Sequence, residues 1–278
     1  MGAPTFPPVL ILASSVAVLV LVPTLAGGGP NEVGVLVLKE HGVGSPTLAQ
    51  PYVDRFVGLA AKHNGWSVAK GQYLGSRRAA ESFIETQKPH YAILSLAAFL
   101  ALRKPEHLVV IGRVASSLAG GRQYFLVSKQ AADLQGCRGA RLASDHLDDV
   151  RFIERVVARS PFGLGDFILV QNQRPLQSIS QLVAGEVRCA LVDDAQLAGL
   201  PHLEGTDGIH TVWQSALLPP MVVVGLPSAP ASEREAFKKS LEQMCVGDGQ
   251  SACAEVGISS LGAASDDDYA AVVAAYGD

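Results

Sequence analysis

The chain has 278 residues, 48% of them hydrophobic and only 17% charged, which supplies one or two sizeable cores and excludes a disordered or fibrous protein. Its 22 Lys and Arg stand against 26 Asp and Glu, a formal charge of −4 without a basic cluster, so a nucleic-acid partner is not expected. Four cysteines without a CxxC pair and seven scattered histidines without an HExxH leave no strong metal or nucleophile motif, which favours a binder over an enzyme and implies no cofactor.

Residues 1–30 carry no Asp, Glu, Lys or Arg, and Val9 to Val22 is apolar apart from Ala and Ser. Pro23, Thr24, Leu25, Ala26 and a glycine run follow, so residues 1–26 read as an export signal cleaved after Ala26. The basic n-region is missing, and the alternative is a retained N-terminal membrane anchor. No Cys follows the run, which disfavours a lipoprotein. Export to an oxidising compartment makes Cys245 and Cys253, eight positions apart around a turn-rich stretch, an expected disulfide. Cys137 and Cys189 each precede or open a short β-like run. They can bridge if those runs are neighbouring parallel strands, and two buried free thiols are the equal alternative.

Beyond residue 30, short apolar runs alternate with amphipathic ones, the pattern of an α/β protein. Val33 to Leu38 reads as a buried strand, followed by a helix with Ser45 as N-cap and Pro46 at its first position. Trp66 to Lys70 is a second strand, Ser76 to Gln87 a helix, Tyr91 to Leu96 a strand and Ala97 to Arg103 a short helix. Leu108 to Ala115 and Tyr124 to Val127 are strands flanking Ser116, Ser117, Gly120 and Gly121. A second series runs from strand Arg141 to Ser144 through helix Asp149 to Arg159, strand Phe167 to Val170 and helix Leu176 to Ala184 to strand Cys189 to Val192. Val150, Ile153, Val156 and Val157 share one face of the first of those helices. His210 to Gln214 and Met221 to Leu226 are strands. Ser232 with Glu235 forms a capping box for a helix through Met244, and Ser265 with Asp266 to Asp268 opens the last helix.

In this order the segments Tyr91-Ala-Ile-Leu-Ser-Leu-Ala-Ala-Phe-Leu100, Tyr124-Phe-Leu-Val-Ser128, Asp133-Leu-Gln-Gly136, Arg141-Leu-Ala-Ser144 and Gly185-Glu-Val-Arg-Cys-Ala-Leu-Val-Asp-Asp194, with the tail Ile258 to Tyr276, carry a likeness. Together they resemble the type 2 periplasmic substrate-binding proteins, most of all the phosphate/phosphonate-binding branch that serves ABC transporters, from Val33 to Tyr276. The resemblance implies a two-lobed α/β fold with two crossing strands as hinge: lobe 1 from residues 31–117 plus 215–278, and lobe 2 from residues 122–212. It implies a periplasmic, monomeric protein whose partners are a small-molecule ligand and membrane transporter components.

Ligand is then expected at the carboxyl ends of the strands, at Lys39 to Pro46, Ser95 and Leu96, Ser144 to Asp149, and Asp193 with Asp194. Where phosphonate binders carry a Ser/Thr-rich anion cradle, this chain has Ser144-Asp-His-Leu-Asp-Asp149. Asp145, Asp148 and Asp149 facing the cleft would repel a phosphate. Ser45, Ser95, Leu96, Phe99, Tyr124, Ser144, Asp145, Asp148 and Asp193 are the expected ligand-binding residues. For Leu96 and Phe99 the alternative is the core face of a helix. For Asp193 and Asp194 it is an N-cap of a helix over Ala195 to Leu200. Arg122 and Gln123 beside Tyr124 are hinge candidates.

His146 with Asp148 and Asp149 offers ligands on one turn without a third, distant one, which reads as a solvated helix start rather than a metal site. Gly42-Val-Gly44 lacks the rest of a dinucleotide loop, since Thr47 stands at the third glycine position.

The leading function is capture of a solute that is neutral, cationic or largely apolar rather than a simple oxyanion, and its delivery to a transporter. The alternatives are a diverged binder of an apolar or lipid-like ligand, a sterol for example, working with a non-ABC export or lipid-transport system, and a ligand-sensing module.

Overall fold

Val33–Leu38 is apolar on both faces, the mark of a central parallel strand, and forms β1 in a computed structural model that describes residues 32–41, 46–116 and 120–277. The leader or anchor over 1–26, Gly42, Gly44 and Ser45 lie outside the described residues. Then come α1 (Pro46–Asn64), β2 (Ala69–Leu74), α2 (Arg77–Gln87), β3 (Tyr91–Leu94), α3 (Leu96–Leu102) and β4 (Val109–Ser116). The chain crosses to a second unit with β5 (Tyr124–Ser128), β6 (Arg141–Ser144), α4 (Val150–Phe152), β7 (Ile168–Gln171), α5 (Gln177–Val183), β8 (Cys189–Asp193), α6 (Asp194–Gly199) and β9 (His210–Gln214). It returns with β10 (Val222–Gly225), α7 (Ala231–Met244), α8 (Gln250–Glu255), β11 (Ile258–Ala263) and α9 (Ala270–Tyr276).

Among the described residues the strands make two sheets, ordered β11-β4-β10-β3-β1-β2 and β7-β6-β8-β5-β9. β1 runs parallel to β2 and β3, and β6 runs parallel to β7 and β8. In register, Leu38 faces Leu94 and Leu142 faces Cys189, which sets the exits of β1 and β3 side by side and those of β6 and β8 likewise. The crossings are stitched together: Leu218 N–H donates to Arg122 O at 2.8 Å, Ser215 N–H to Tyr124 O at 2.8 Å, and Gln123 Nε2 to Ser215 O at 2.9 Å. Among the described residues no helix is long and apolar enough to cross a membrane.

Three local expectations need correction. The second strand is not Trp66 to Lys70. Trp66 is buried against Tyr91 and Phe237, with ring centroids at 5.4 and 5.1 Å, and its N–H closes the end of α1 on Ala61 O. Pairing with β1 starts only at Ala69, and as an edge strand β2 keeps polar Lys70 and Gln72, so no apolar run marks it. Ser232 and Glu235 form no capping box. Pro230 is the N-cap of α7 and its carbonyl takes the N–H groups of Glu233 and Arg234, which puts Ser232 inside the helix.

The helix expected over Asp149 to Arg159 is one α-helical turn, α4, that widens into a π-helix at Ile153–Ala158. Ile153, Val156 and Val157 are buried as expected, while Val150 is exposed beside the cap. One smaller shift is a strand that ends at Leu94, with Ser95 capping α3; Ser265 with Asp266 to Asp268 opens the last helical segment as expected.

One apolar cluster runs through both units. Leu36, Leu38, Leu94 and Phe99 of the first continue through Tyr269, Val272 and Tyr276 to Phe152, Val156 and Val157 of the second. C-terminal helix α9 therefore lies on the π-helical segment, and Arg155 donates to Tyr276 O at 3.2 Å.

Both candidate disulfides are present. Cys245–Cys253 ties the end of α7 to α8 across a Cα separation of 5.6 Å. Cys137–Cys189, at 6.0 Å, ties the turn before β6 to the start of the neighbouring parallel strand β8. The bonds span 52 and 8 residues of sequence. Chain entropy then predicts that changing Cys137 and Cys189 to Ser costs about 4 kcal/mol of unfolding free energy, against about 2.5 kcal/mol for Cys245 and Cys253. Denaturant titration of the two double variants measures this, and a larger loss from the short loop would contradict it.

Candidate functional site

The aligned strand exits bring Lys39, Glu40 and His41 (after β1) and Ser95 (after β3) opposite Asp145 and His146 (after β6) and Asp193 (end of β8). Between them lies a cavity of about 380 Å³. Leu96, Ala97, Val114 and Met221 give the first unit's wall an apolar character, and Ala195, Ala198 and Gly199 of α6 face it from the second. Gly120, Gly121, Arg122 and Tyr124 line it from the crossing. Gly120 and Gly121 have φ of +152° and +73°, and a Cβ on Gly120 would stand 3.6 Å from Lys39 Nζ and 3.7 Å from Ala195 Cβ. Glycine at this point thus leaves the space in front of the Lys39 amine open.

Beside the cavity the units meet in a polar seam. Arg77 of α2 grips Glu40 with two donors, Nε to Oε1 at 2.9 Å and Nη2 to Oε2 at 3.0 Å, and reaches across with Nη1 to Asp149 Oδ2 at 2.7 Å. Ser95 Oγ donates to Glu40 Oε2 at 3.2 Å and accepts the N–H of Ala98 as the cap of α3. Burial opposes the charge on Arg77, but Glu40 and Asp149 outweigh it and raise its pKa further. Asp149 also caps α4, accepting the N–H of Phe152 at 2.9 Å.

The second set of seam contacts centres on Asp145, which is 2% exposed. Its Oδ1 accepts from Gln196 Nε2 at 2.9 Å, and His41 Nδ1 lies 3.4 Å from its Oδ2. His41 Nε2 faces Asp148 Oδ1 at 3.5 Å, while His146 Nε2 lies 3.8 Å from Asp145 Oδ1 and 3.2 Å from Gln196 Oε1. Burial works against both charges of the His41–Asp145 pair. Even so, the Asp145, Asp148 and Glu40 carboxylates raise the His41 pKa, and His41, His146 and Gln196 hold Asp145 down at about 2. The Tyr124 ring packs edge-on against His146 and Phe152, and burial pushes its phenol well above the ordinary value.

Of the expected ligand-binding residues, Ser95, Leu96, Tyr124 and Asp193 line the cavity. Phe99 does not: it is fully buried and packs edge-on against Tyr269. Ser144 is fully buried, donating to Leu191 O and accepting the N–H of His146. Asp145 and Asp148 border a second, more polar cleft of about 580 Å³ that lies beyond Lys39, Glu40 and His41 and also carries Asn172 and Gln171. Asp193 is the N-cap of α6, in a reciprocal capping box with Gln196, whereas Asp194 accepts the N–H of Arg122 at 3.2 Å.

The Asp145 to Asp149 turn is not the solvated helix start expected of it, since Asp145, His146 and Asp149 are all buried. Arg77 and Gln196 are the functional residues that sequence reasoning misses. Gln196 carries a local signal, the Asp-x-x-Gln spacing of a capping box; Arg77 carries none, because its partners lie 37 and 72 residues away.

No family model matches the sequence, and no curated protein matches it. Solved structures do match. A binding-protein component of an ABC phosphonate transporter from Pseudomonas aeruginosa is similar with a TM-score of 0.65 over 88% of this chain and 84% of its own, at 12% identity. PhnD1 from Prochlorococcus marinus, solved with methylphosphonate, gives 0.64 over 88% and 96% at 10% identity. The periplasmic aliphatic sulphonate-binding protein SsuA from Escherichia coli gives 0.53 over 82% and 74% at 9% identity. The chain thus has the two-lobed fold of the type 2 periplasmic binding proteins, at 9–12% identity to these structures.

The seam predicts the consequence of removing its arginine. Arg77→Ala leaves Glu40 and Asp149 buried without their cation and should cost about 3 kcal/mol or more in urea unfolding, with Arg77→Lys recovering only part of it. A loss below about 1 kcal/mol would mean that the two carboxylates are solvated.

Proposed function

We propose that the protein is an exported solute-binding protein that captures a small ligand between lobe 1 (31–117 and 215–278) and lobe 2 (122–212) and delivers it to membrane transporter components. The similar solved structures support binding rather than catalysis: they include binding proteins of phosphonate and sulphonate transporters, one solved with methylphosphonate, and an arginine-binding protein. A periplasmic site of action follows from the same likeness and from two disulfides.

The ligand we favour is an amphiphile with an apolar body and one anionic group, not a simple oxyanion. Lys39 carries this reading. Its ammonium stands at the Gly120 gap of the cavity and makes no ion pair or hydrogen bond among the described residues, while Glu40 beside it is already held by Arg77 and Ser95. A cation left half-buried in a cleft gains from an anionic guest. The repulsion expected from three carboxylates falls away, because Asp145 and Asp149 are engaged in the seam and neither they nor Asp148 line this cavity. Leu96, Val114 and Met221 leave most of the wall to apolar contact, which a bare phosphate would not use. That wall alone also suits a lipid-like solute; the Lys39 ammonium is what favours an acid.

Calorimetry with a panel of alkyl sulfonates, carboxylates, amines, neutral solutes and phosphate tests this. Monoanionic amphiphiles should bind, phosphate only weakly, and Lys39→Ala should weaken the bound solute about tenfold or more, the worth of one charge-assisted hydrogen bond. Small-angle scattering should show compaction with that solute. Binding restricted to amines, or a Lys39→Ala variant of unchanged affinity, would overturn the assignment.

A further inference from the structure

We propose that His41, Asp145 and His146 together bind one divalent transition-metal ion of the zinc class across the seam between the two lobes. One ligand atom from each of the three lies within 4.8 Å of the others. That spacing exceeds the contacts around a bound zinc only modestly, so small side-chain movements bring all three to coordination distance. The third, distant ligand that the sequence around His146 lacks is supplied by His41, in the turn after β1 of the other sheet.

Asp145 supplies the anionic ligand. Its Oδ1 is satisfied by Gln196, but its Oδ2 takes no hydrogen bond among the described residues, and its nearest cationic neighbour is His41 Nδ1 at 3.4 Å. A buried carboxylate oxygen without a donor is costly unless a cation completes it. His41 is oriented for the part: Asp148 Oδ1 lies 3.5 Å from its Nε2, while Nδ1 is the nitrogen that faces the buried Asp145 carboxylate. His41 also has φ at +58°, a backbone conformation that a bulky residue rarely holds without a local reason.

A plain ion pair is the competing account, but it needs one imidazolium. It leaves without a part the second ring that converges on the same carboxylate, His146, whose centroid lies 4.5 Å from that of His41. A metal ion lets both act as neutral ligands. On binding, it takes the Nδ1 electron pair of His41, and any proton held there leaves to solvent. Two nitrogens and one carboxylate select zinc-class ions over magnesium or calcium. His41 and His146 both border the cavity, so the fourth position opens to water there.

The inference does not depend on the solute reading, because it is tested with metal alone. Tag-free full-length protein, stripped with chelator, is titrated with zinc chloride in a calorimeter and with cobalt(II) in a spectrophotometer, with magnesium as the control. One zinc per chain, a four-coordinate cobalt band, a raised unfolding midpoint and no magnesium binding are expected. His41→Gln and His146→Gln should each weaken zinc about tenfold or more, whereas His63→Gln, on the exposed last turn of α1, should not. His146 is buried, so a misfolded His146→Gln leaves the decision to His41→Gln, whose side chain is one-fifth exposed. No saturable zinc binding, or zinc binding that survives His41→Gln, overturns the proposal.

Discussion

A carboxylate taken out of water between two apolar-cored units must meet a cation or a set of donors, and this requirement organises the protein where its halves touch. Glu40 and Asp149, one from each half, share the guanidinium of Arg77. Asp145 is met by Gln196 from its own half and by His41 from the other. In both sets, lobe 1 provides the cation that a lobe 2 carboxylate needs. The parallel registers align the exit of β1 with that of β3 and the exit of β6 with that of β8, and Arg77 and His41 reach from the first set of exits to the second.

The same constraint explains which parts were legible in the sequence. Val33–Leu38, buried on both faces, and the mostly buried Arg141–Ser144 have the bounds that their residues suggest; so does His210–Gln214, although it is a largely exposed edge strand. Edge strand β2 hides behind polar Lys70 and Gln72, and the apolar Trp66 before it belongs to an aromatic cluster with Tyr91 and Phe237 instead of a ladder. The acidic turn after β6 is visible in sequence, but its orientation is not. Whether Asp145 faces a ligand or a seam depends on His41 and Gln196, one of them on another sheet, and no local pattern encodes that meeting. Likewise, Asp193 reads either as a ligand contact or as a cap; the structure makes it the cap of α6 while leaving it on the cavity wall.

Lys39, Glu40 and His41 are consecutive yet serve different ends. Glu40 is spent on Arg77, His41 faces Asp145 and Asp148, and Lys39 is left facing open space at Gly120. The difference follows from what each residue can reach across the seam: carboxylates lie opposite His41, whereas opposite Lys39 stand Gly120 and Ala195, which offer it no counter-charge. In the proposed function a guest's charge completes this position, and the apolar wall formed by Leu96 and Met221 receives the rest of it.

Closure of the two lobes has to be weighed against contacts that exist before any solute enters. α9 on the π-helical segment and the stitched crossings join the halves along one region, and the Arg77 and His41 pairs join them along another. A solute shifts an open-to-closed equilibrium only by its differential affinity for the two forms. In the proposed capture the seam pairs resist opening of the two units, and a guest that competes for Arg77 or His41 works against its own capture. The anionic group of the proposed guest is therefore best met by a cation that the seam does not use, and Lys39, which lines the cavity, is one.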